Sequence, residues 1–555
     1  MKRTLLACSL LILWLSACLA YAALTPSEQP RRQLEQQLQS LSDAPYLMGN
    51  KIDYVPWLVA LYRQHDYQPI WTQWQDPTQL ITALKNAEQA GLNSADYYLA
   101  TLQQQLSSPS AFAHLGVANQ INLDLLMSAA VIKLALHLRL GKLKPQQFEP
   151  RWPPTLQPDM TAFSDQLVRH LSQQSLVDFF AQQEPKHPFY PPLKEALAHY
   201  QALADQNAFE PIALNVRSLK PNMPSPAIPL IKQRLIELHH LPANPAQLVN
   251  VSANVETFFF NEPLIEPIKA FQRQHGLDPD GIIGPATLAA LNLSYETRVK
   301  RIKMNLERMR WLSSHLQNHE YILVNLASYQ LDLFREHRTI WQTHVIVGKK
   351  RHATPAFSAT LAYLEFNPTW SVPRSIVREM WPKIEQDPNY LSQQNFLVLD
   401  QQGQRIALSE NDWANYSGRN FPFFLQQQPG PQNALGQVKF IFPNSYSIFL
   451  HDTPDKHLFN RTQRNFSHGC VRVEKPLVLA EHLLAPLPQW TPARIHQVVN
   501  SQKRTRIQIA RPIDVFLFYW TVTAKASDNA NSHDLTRVQF HLDAYSKDAK
   551  LLHYF

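Results

Sequence analysis

Cysteine is almost missing from this chain: three stand among 555 residues, and two of them, Cys8 and Cys18, lie inside an N-terminal apolar run. A fold held together by disulfides is excluded, because such scaffolds need many paired cysteines. Glycine is also scarce, with 13 residues against 42 prolines, well below its usual share of about 7%. Its placement therefore carries information, and Gly276, Gly281, Gly284, Gly348, Gly430, Gly436 and Gly469 all fall in two regions with recognisable patterns. A strong excess of one charge sign is lacking too: the net charge is +8, from 52 basic and 44 acidic residues.

What is present at the N-terminus is an export pattern. Lys2 and Arg3 precede an apolar stretch from Leu5 to Leu19, and small residues follow at Ala20, Ala22 and Ala23. Cleavage after Ala22 makes residues 1–22 a signal peptide. Leu15-Ser16-Ala17-Cys18 resembles a bacterial lipoprotein box, which would end the signal at residue 17 and place lipid on Cys18. Retention as an uncleaved anchor is the third route, since the run approaches the roughly 20 residues that span a bilayer. All three leave the body of the chain outside the cytoplasm, peripheral to the membrane or attached to it. Nucleic acid is then no natural partner, and the modest positive charge suits an anionic envelope surface. Cys470 becomes the single thiol of the exported body, a liability in an oxidising compartment unless it is used.

The length allows about three or four domains. From 37 to 210 apolar residues recur every three or four positions, as in Leu80, Ile81, Leu84, Ala87 and Ala90 ahead of Gly91, which predicts an all-α scaffold domain. Within it, Leu123 to Leu140 is apolar almost all round, but Asp124, Lys133, His137 and Arg139 mark it as a buried bundle helix rather than a membrane span. No catalytic constellation occurs there. Prolines between Pro211 and Pro229 predict an extended link. From 227 to 293, Leu264, Ile268 and Phe271 share a helix face that stops at Gly276, an Asp280-Gly281 turn follows, and Gly284-Pro285 opens another helix. After a helix striped by Val299, Ile302, Leu306 and Met309 the period switches to two. Strands are expected at 321–326, 330–334, 339–347, 438–442 and 445–451, the last two joined by a Pro443-Asn444 turn. The tail, 501–555, adds strands at 513–522 and 537–542 around a polar 527–533 turn.

The chemistry concentrates in Ser467-His468-Gly469-Cys470-Val471-Arg472-Val473 and in the upstream strand end Ile448-Phe449-Leu450-His451. The thiolate is the nucleophile, and a free cysteine of pKa about 8.5 is mostly protonated near neutral pH. An imidazole within hydrogen-bond reach can take that proton and return it to a leaving amine. His451 is the expected base: strand side chains alternate, so Phe449 and His451 face a cleft if Ile448 and Leu450 face the core. Its other ring nitrogen needs an acceptor, either the backbone carbonyl of Asp452 or its carboxylate. Gly469 lets its own amide and that of Cys470 approach a developing oxyanion. His468 is expected to shape the turn. Arg472 either offers a fork to a substrate carboxylate or pairs with Glu474. Phe449, Ser467 and Trp370 complete the residues expected to face substrate.

His451-Asp452-Thr453-Pro454 together with the Ser467 to Val473 segment resembles the active-site signature of bacterial L,D-transpeptidases. Val347-Gly348 with Ala353-Thr354-Pro355, Asn367-Pro368-Thr369-Trp370, Pro429-Gly430-Pro431-Gln432-Asn433-Ala434-Leu435-Gly436 and Phe442-Pro443-Asn444 are similar to the large periplasmic subgroup of that family. The segments from Ile268 to Leu277 and from Asp280 to Asn292 resemble the three-helix peptidoglycan-binding module of cell-wall hydrolases, although an insert containing Phe258-Phe259-Phe260 precedes the motif. The resemblance implies a multidomain α+β protein: an all-α N-terminal scaffold, a three-helix peptidoglycan-binding-like module, and a β-rich catalytic domain at 318–500 with a capping insertion at about 372–428. It further implies a Gram-negative periplasmic enzyme in which Cys470 attacks the third residue of a tetrapeptide stem, usually diaminopimelate, and expels D-alanine. The amine of a second stem then forms the cross-link. Carbapenem acylation of the same thiol is implied as well. Some large members carry serine where this chain has His468.

Three other readings compete. The same thiol could serve a hydrolase of L,D-carboxypeptidase type, with water as acceptor. The 227–293 module could belong to a non-catalytic wall-binding protein. His451, His457, His468 and Cys470 could hold zinc, but their spacing is not that of a metal motif, so neither metal nor other cofactor is expected. Acceptor and oligomeric state are not encoded in these patterns.

Overall fold

The computed structural model describes residues 28–555 apart from 74–75, 77, 109, 174, 207–208, 243–258, 317–319, 388 and 526–534. The export signal at 1–22, most of the insert ahead of Phe259 and the 527–533 turn lie outside the described residues. The architecture is multidomain α+β, and the chain divides into two compact units.

The first unit comprises the described residues up to Lys142 together with Leu156–Pro185. Its helices are α1 (Glu28–Asp43), α2 (Val55–Gln64), α3 (Thr78–Lys85), α4 (Leu99–Gln105), α5 (Val117–Leu140), α6 (Met160–Ser172) and α7 (Leu176–Gln183). By length and composition α5 could cross a membrane, yet it forms the buried centre of this unit. Its polar groups are satisfied internally, as burial requires. Asp124 accepts from the Trp71 amide at 2.8 Å and from the Tyr62 hydroxyl, Trp71 Nε1 donates to Ser128 at 2.9 Å, and His137 bonds the Tyr97 hydroxyl at 3.1 Å. Burial pushes the Asp124 carboxyl up to about 6.

The second unit, Leu143–Thr155 with Lys186–Phe555, begins its main run with α8 (Tyr190–Asp205), α9 (Ile228–Glu237), α10 (Ile265–Gln274), α11 (Pro285–Leu291) and α12 (Tyr295–Ser313). Although α8 falls in the expected scaffold span, it packs on α12. The proline-rich link is a fixed strap rather than a free spacer: Ile212 and Leu219 are buried, and Leu219 exchanges both backbone hydrogen bonds with Ile283. The single apolar stripe expected for α12 understates it, because neighbours reach it from several sides. Glu307 accepts from the Leu143 amide at 2.7 Å, from Trp311 Nε1 at 3.1 Å and from Arg310 at 3.2 Å, while Arg308 pairs with Asp548 at 2.8 Å.

The sheet strands before the capping insertion are β1 (Glu320–Asn325), β2 (Gln330–Arg335), β3 (Arg338–Gly348) and β4 (Phe357–Phe366). The insertion has its own four-stranded sheet, built from β5 (Trp370–Ser371), β6 (Phe396–Leu399), β7 (Arg405–Ile406) and β8 (Phe424–Gln427) in the order β5-β8-β6-β7, beside helix α13 (Arg374–Gln386). A separate core including Val377, Trp381, Phe396, Phe421 and Leu425 supports it. The main sheet resumes with β9 (Val438–Ile441), β10 (Leu450–His451), β11 (Asn465–Ser467), β12 (Val471–Val473) and β13 (Thr505–Phe518). Its order is β11-β3-β12-β10-β9-β4-β13-β1-β2, and a further pairing of β3 with β2 closes the circuit. Alternation places Ile322 and Val324 in the interior, with Leu364, Val438, Leu450, Val471 and Val515, while Tyr321 and Leu323 face the helical module.

Two local expectations change. The central strand β4 is absent from the expected set because its exposure does not alternate cleanly: the β13 partner slips register between Gln508 and Ile513. The strand expected over 445–451 is reduced to Leu450–His451. Asn444 Nδ2 donates to the carbonyls of Phe442 and Ile448, each at 2.7 Å, and Ser447 takes φ 56°, which holds the preceding residues in a loop.

Candidate active site

Register decides which side chains meet. Arg506 pairs with Glu365, Glu365 with Lys439, Lys439 with His451, and His451 with Arg472. These five residues form one row across β13, β4, β9, β10 and β12, and all line a cleft of ≈ 780 Å³ that also contains Cys470. Arg506 and Arg504 reach Glu365 at 3.3 and 2.8 Å, which holds its carboxyl below the usual range against the opposing effect of burial.

His451 is buried, and its Nδ1 donates to the Asp452 carbonyl oxygen. That bond leaves Nε2 as the ring's lone-pair nitrogen. Burial, with the positive charge of Arg472 second, pushes its pKa down to about 3, so the ring is neutral. Of the two acceptors considered, the carbonyl is the one used. The Asp452 carboxylate accepts instead from the Gln437 amide at 2.8 Å and from Lys456. Gly436 makes that packing feasible, since its φ is +60° and an added Cβ would stand 2.3 Å from Asp452 Oδ2.

Cys470 follows a turn locked from several sides. Ser467 Oγ accepts from the Gly469 amide at 3.0 Å and donates to the Cys470 carbonyl at 2.6 Å. Thr354 Oγ1 accepts from the Gly348 amide at 2.9 Å and donates to the Gly469 carbonyl at 2.8 Å. Gly469 adopts φ +121°, a region open mainly to glycine. The thiol is partly exposed and donates to the Ser447 carbonyl at 3.6 Å. Burial raises its pKa, opposed by the Phe449 amide and by the charges of Lys439 and Arg472. The resting pair is therefore thiol and neutral imidazole in one cleft, without a hydrogen bond between them.

Several expectations need correction. The Gly469 amide is occupied by Ser467, so it is not free for an oxyanion; Ser467 lines the cleft as expected, but it is buried and its hydroxyl is engaged in bracing the turn. Arg472 pairs with Asp455 at 2.8 Å rather than with Glu474, which lies 3.5 Å from His344 Nδ1. His468 stands at the rim, where Nε2 lies 2.8 Å from Glu379 of α13 and 3.1 Å from Lys349 Nζ. Among the described residues, the four proposed zinc ligands do not gather as a set. Phe449 and Trp370 do line the cleft. Lys439, Glu365 and Arg506 also belong to the site, although no sequence motif marks them. The signal for Lys439 was available, because it is the polar residue inside the apolar 438–442 strand, and its ammonium sits 3.7 Å from the Phe449 ring centroid.

The second unit thus joins a small helical module to a β-circuit whose histidine–cysteine cleft is lined in part by the capping insertion. Comparison with known proteins finds three domain matches. Residues 319–509 match the model of the L,D-transpeptidase catalytic domain, 56–197 that of the scaffold domain, and 225–291 that described as "Putative peptidoglycan binding domain". A Haemophilus influenzae protein named "Putative L,D-transpeptidase" is 37% identical over 237 residues, 42% of this chain and 47% of that protein. The chain thus matches about half the length of this curated relative. Among solved structures, an L,D-transpeptidase from Mycobacterium smegmatis is 10% identical over 36% of this chain and 58% of its own, with a TM-score of 0.16. One from Xylanimonas cellulosilytica is 14% identical over 56% and 100%, also with a TM-score of 0.16. These matches support the L,D-transpeptidase family with a scaffold domain.

Proposed function

We propose that this protein is an exported enzyme that cross-links peptidoglycan stem peptides through a thioester on Cys470. The observation that carries the reading is the placement of one thiol and one neutral imidazole, its Nε2 lone pair available, in a single cleft flanked by Lys439 and Arg472. The thiol leaves the Ser447 carbonyl and passes its proton to His451 Nε2 as sulfur attacks the carbonyl of the third stem residue. The bond to the terminal D-alanine breaks, its nitrogen takes the proton from His451, and a thioester remains. A neighbouring stem's side-chain amine then attacks the thioester, its proton returns through His451 to sulfur, and a new amide replaces the old one. The cationic flank disfavours a lasting imidazolium, which favours delivery of the proton to the leaving amine. With the Gly469 amide engaged, the Cys470 amide is the backbone donor for the oxyanion. Lys439 and Arg472 present positive charge to the stem carboxylates, and Phe449 and Trp370 supply apolar walls. Neither metal nor other cofactor enters these steps. The helical module at 225–291 is assigned to holding the wall polymer, and the chain to the periplasm.

Incubation with disaccharide-tetrapeptide tests this by mass spectrometry. Dimers formed with loss of D-alanine by the wild type, but not by Cys470→Ala, are expected. Free tripeptide monomers without dimers would replace the transferase reading with a hydrolase, and unchanged products in Cys470→Ala would remove the nucleophile.

A further inference from the structure

Three side chains at the rim of the cleft share a ligand chemistry that the reaction above does not use. His352 follows β3, Glu379 lies on α13 of the capping insertion, and His468 belongs to the turn before Cys470. Each offers one ligand atom, and these atoms lie within 4.8 Å of one another. His468 Nε2 is 2.8 Å from Glu379 Oε2, and the two imidazole centroids are 5.2 Å apart. Zinc holds nitrogen and oxygen ligands at about 2.0–2.2 Å. In a tetrahedron the donors then stand roughly 3.4 Å apart, so modest side-chain rotations would close the set. Two imidazoles and a carboxylate suit a zinc-class ion, whereas magnesium and calcium prefer oxygen throughout.

The neighbouring cations oppose this and must be counted. Lys349 Nζ lies 3.1 Å from His468 Nε2 and 3.8 Å from Glu379 Oε2, and Arg351 Nη2 lies 3.8 Å from Glu379 Oε1. Both are long side chains near the surface, and surface ion pairs of this kind contribute little. An incoming dication can take their place on Glu379.

We propose that His352, Glu379 and His468 form a divalent metal site of the zinc class, which ties α13 of the capping insertion to the turn that carries the nucleophile. Its fourth position faces solvent and is open to water. The site is independent of the acyl-transfer reading, and its test is made in a protein that cannot perform that reaction.

The full-length chain carrying Cys8→Ser, Cys18→Ser and Cys470→Ala, so that no thiol competes for metal, is stripped with chelator and titrated calorimetrically with zinc chloride. One ion per chain is expected, with affinity weakened at least tenfold by each of His352→Ala, Glu379→Gln and His468→Ala. Thermal melts establish that each variant is folded. Hydrogen exchange over residues 374–386 is expected to slow when zinc is added. Absence of a stoichiometric site, or affinity in the three variants equal to that of the parent, overturns the proposal. Zinc binding that leaves exchange over 374–386 unchanged overturns the tie to the capping insertion.

Discussion

The resting protonation state of Cys470 has a direct kinetic consequence. Burial raises its pKa above the ordinary value more than the Phe449 amide, Lys439 and Arg472 lower it, and its thiol bonds the Ser447 carbonyl rather than His451. At pH 7, about a unit and a half below even the ordinary value of about 8.5, no more than about three sulfurs in a hundred are ionised. Alkylation by iodoacetamide, followed by mass spectrometry of the Cys470 peptide, should therefore accelerate nearly tenfold between pH 7 and 8. A plateau is not expected in that range. His451→Gln should change this rate by no more than about twofold, because the imidazole is not bonded to the resting thiol, yet it should slow D-alanine release by about 10²–10⁴-fold. Lys439→Met removes a charge that favours the thiolate and should lower alkylation at pH 7 further. A plateau beginning below pH 7, lost in His451→Gln, would show a preformed thiolate–imidazolium pair and refute the reasoning.

Gly436→Ala forces a left-handed alanine, costing about 1–2 kcal/mol, and drives its Cβ into Asp452, adding roughly 1–3 kcal/mol of overpacking. Urea unfolding should show the loss and D-alanine release should fall with it; an unchanged midpoint and rate would contradict the packing. Ser467→Ala removes both ties that fix the nucleophile turn, with an expected loss of about 1–3 kcal/mol and a lower kcat in the D-alanine assay. Wild-type stability and rate in that variant would deny Ser467 its bracing part. Acid should destabilise the second unit: burial lowers the pKa of His187, His451 and His541 to about 3 from 6.5. The neutral form is favoured on folding, so this stability is complete above pH 6.5 and is lost as pH falls toward 3, by about 2 kcal/mol per histidine at pH 5. A urea midpoint that stays constant between pH 7.5 and 5 would exclude it.

The elements that could be read from sequence are those whose environment is uniform along their length. The apolar α5 and the almost continuously apolar β1, buried on both faces, announce their burial, and Ser467 to Val473 announces chemistry because a lone thiol beside glycine has few structural uses. Where several layers converge, the one-dimensional pattern fails. Glu307 and Arg310 look like solvent positions on α12 but neutralise each other inside it. Pairing partners were invisible for the same reason: nothing local to Arg472 indicates Asp455, and the row from Arg506 to Arg472 exists only once five strands are in register. The occupation of the Gly469 amide by Ser467 likewise depends on turn geometry, which residue identity alone leaves open.

The capping insertion leaves the main sheet after β4 and returns as β9, and these strands are antiparallel neighbours with Phe366 opposite Val438. Its two ends therefore meet a doorway only one strand spacing wide, about 5 Å. A lineage can enlarge, trim or exchange this cassette without shifting the alignment that assembles Glu365, Lys439, His451 and Arg472. A one-residue insertion within β9 or β10 has no such licence, because it would turn part of the charged row into the hydrophobic interior.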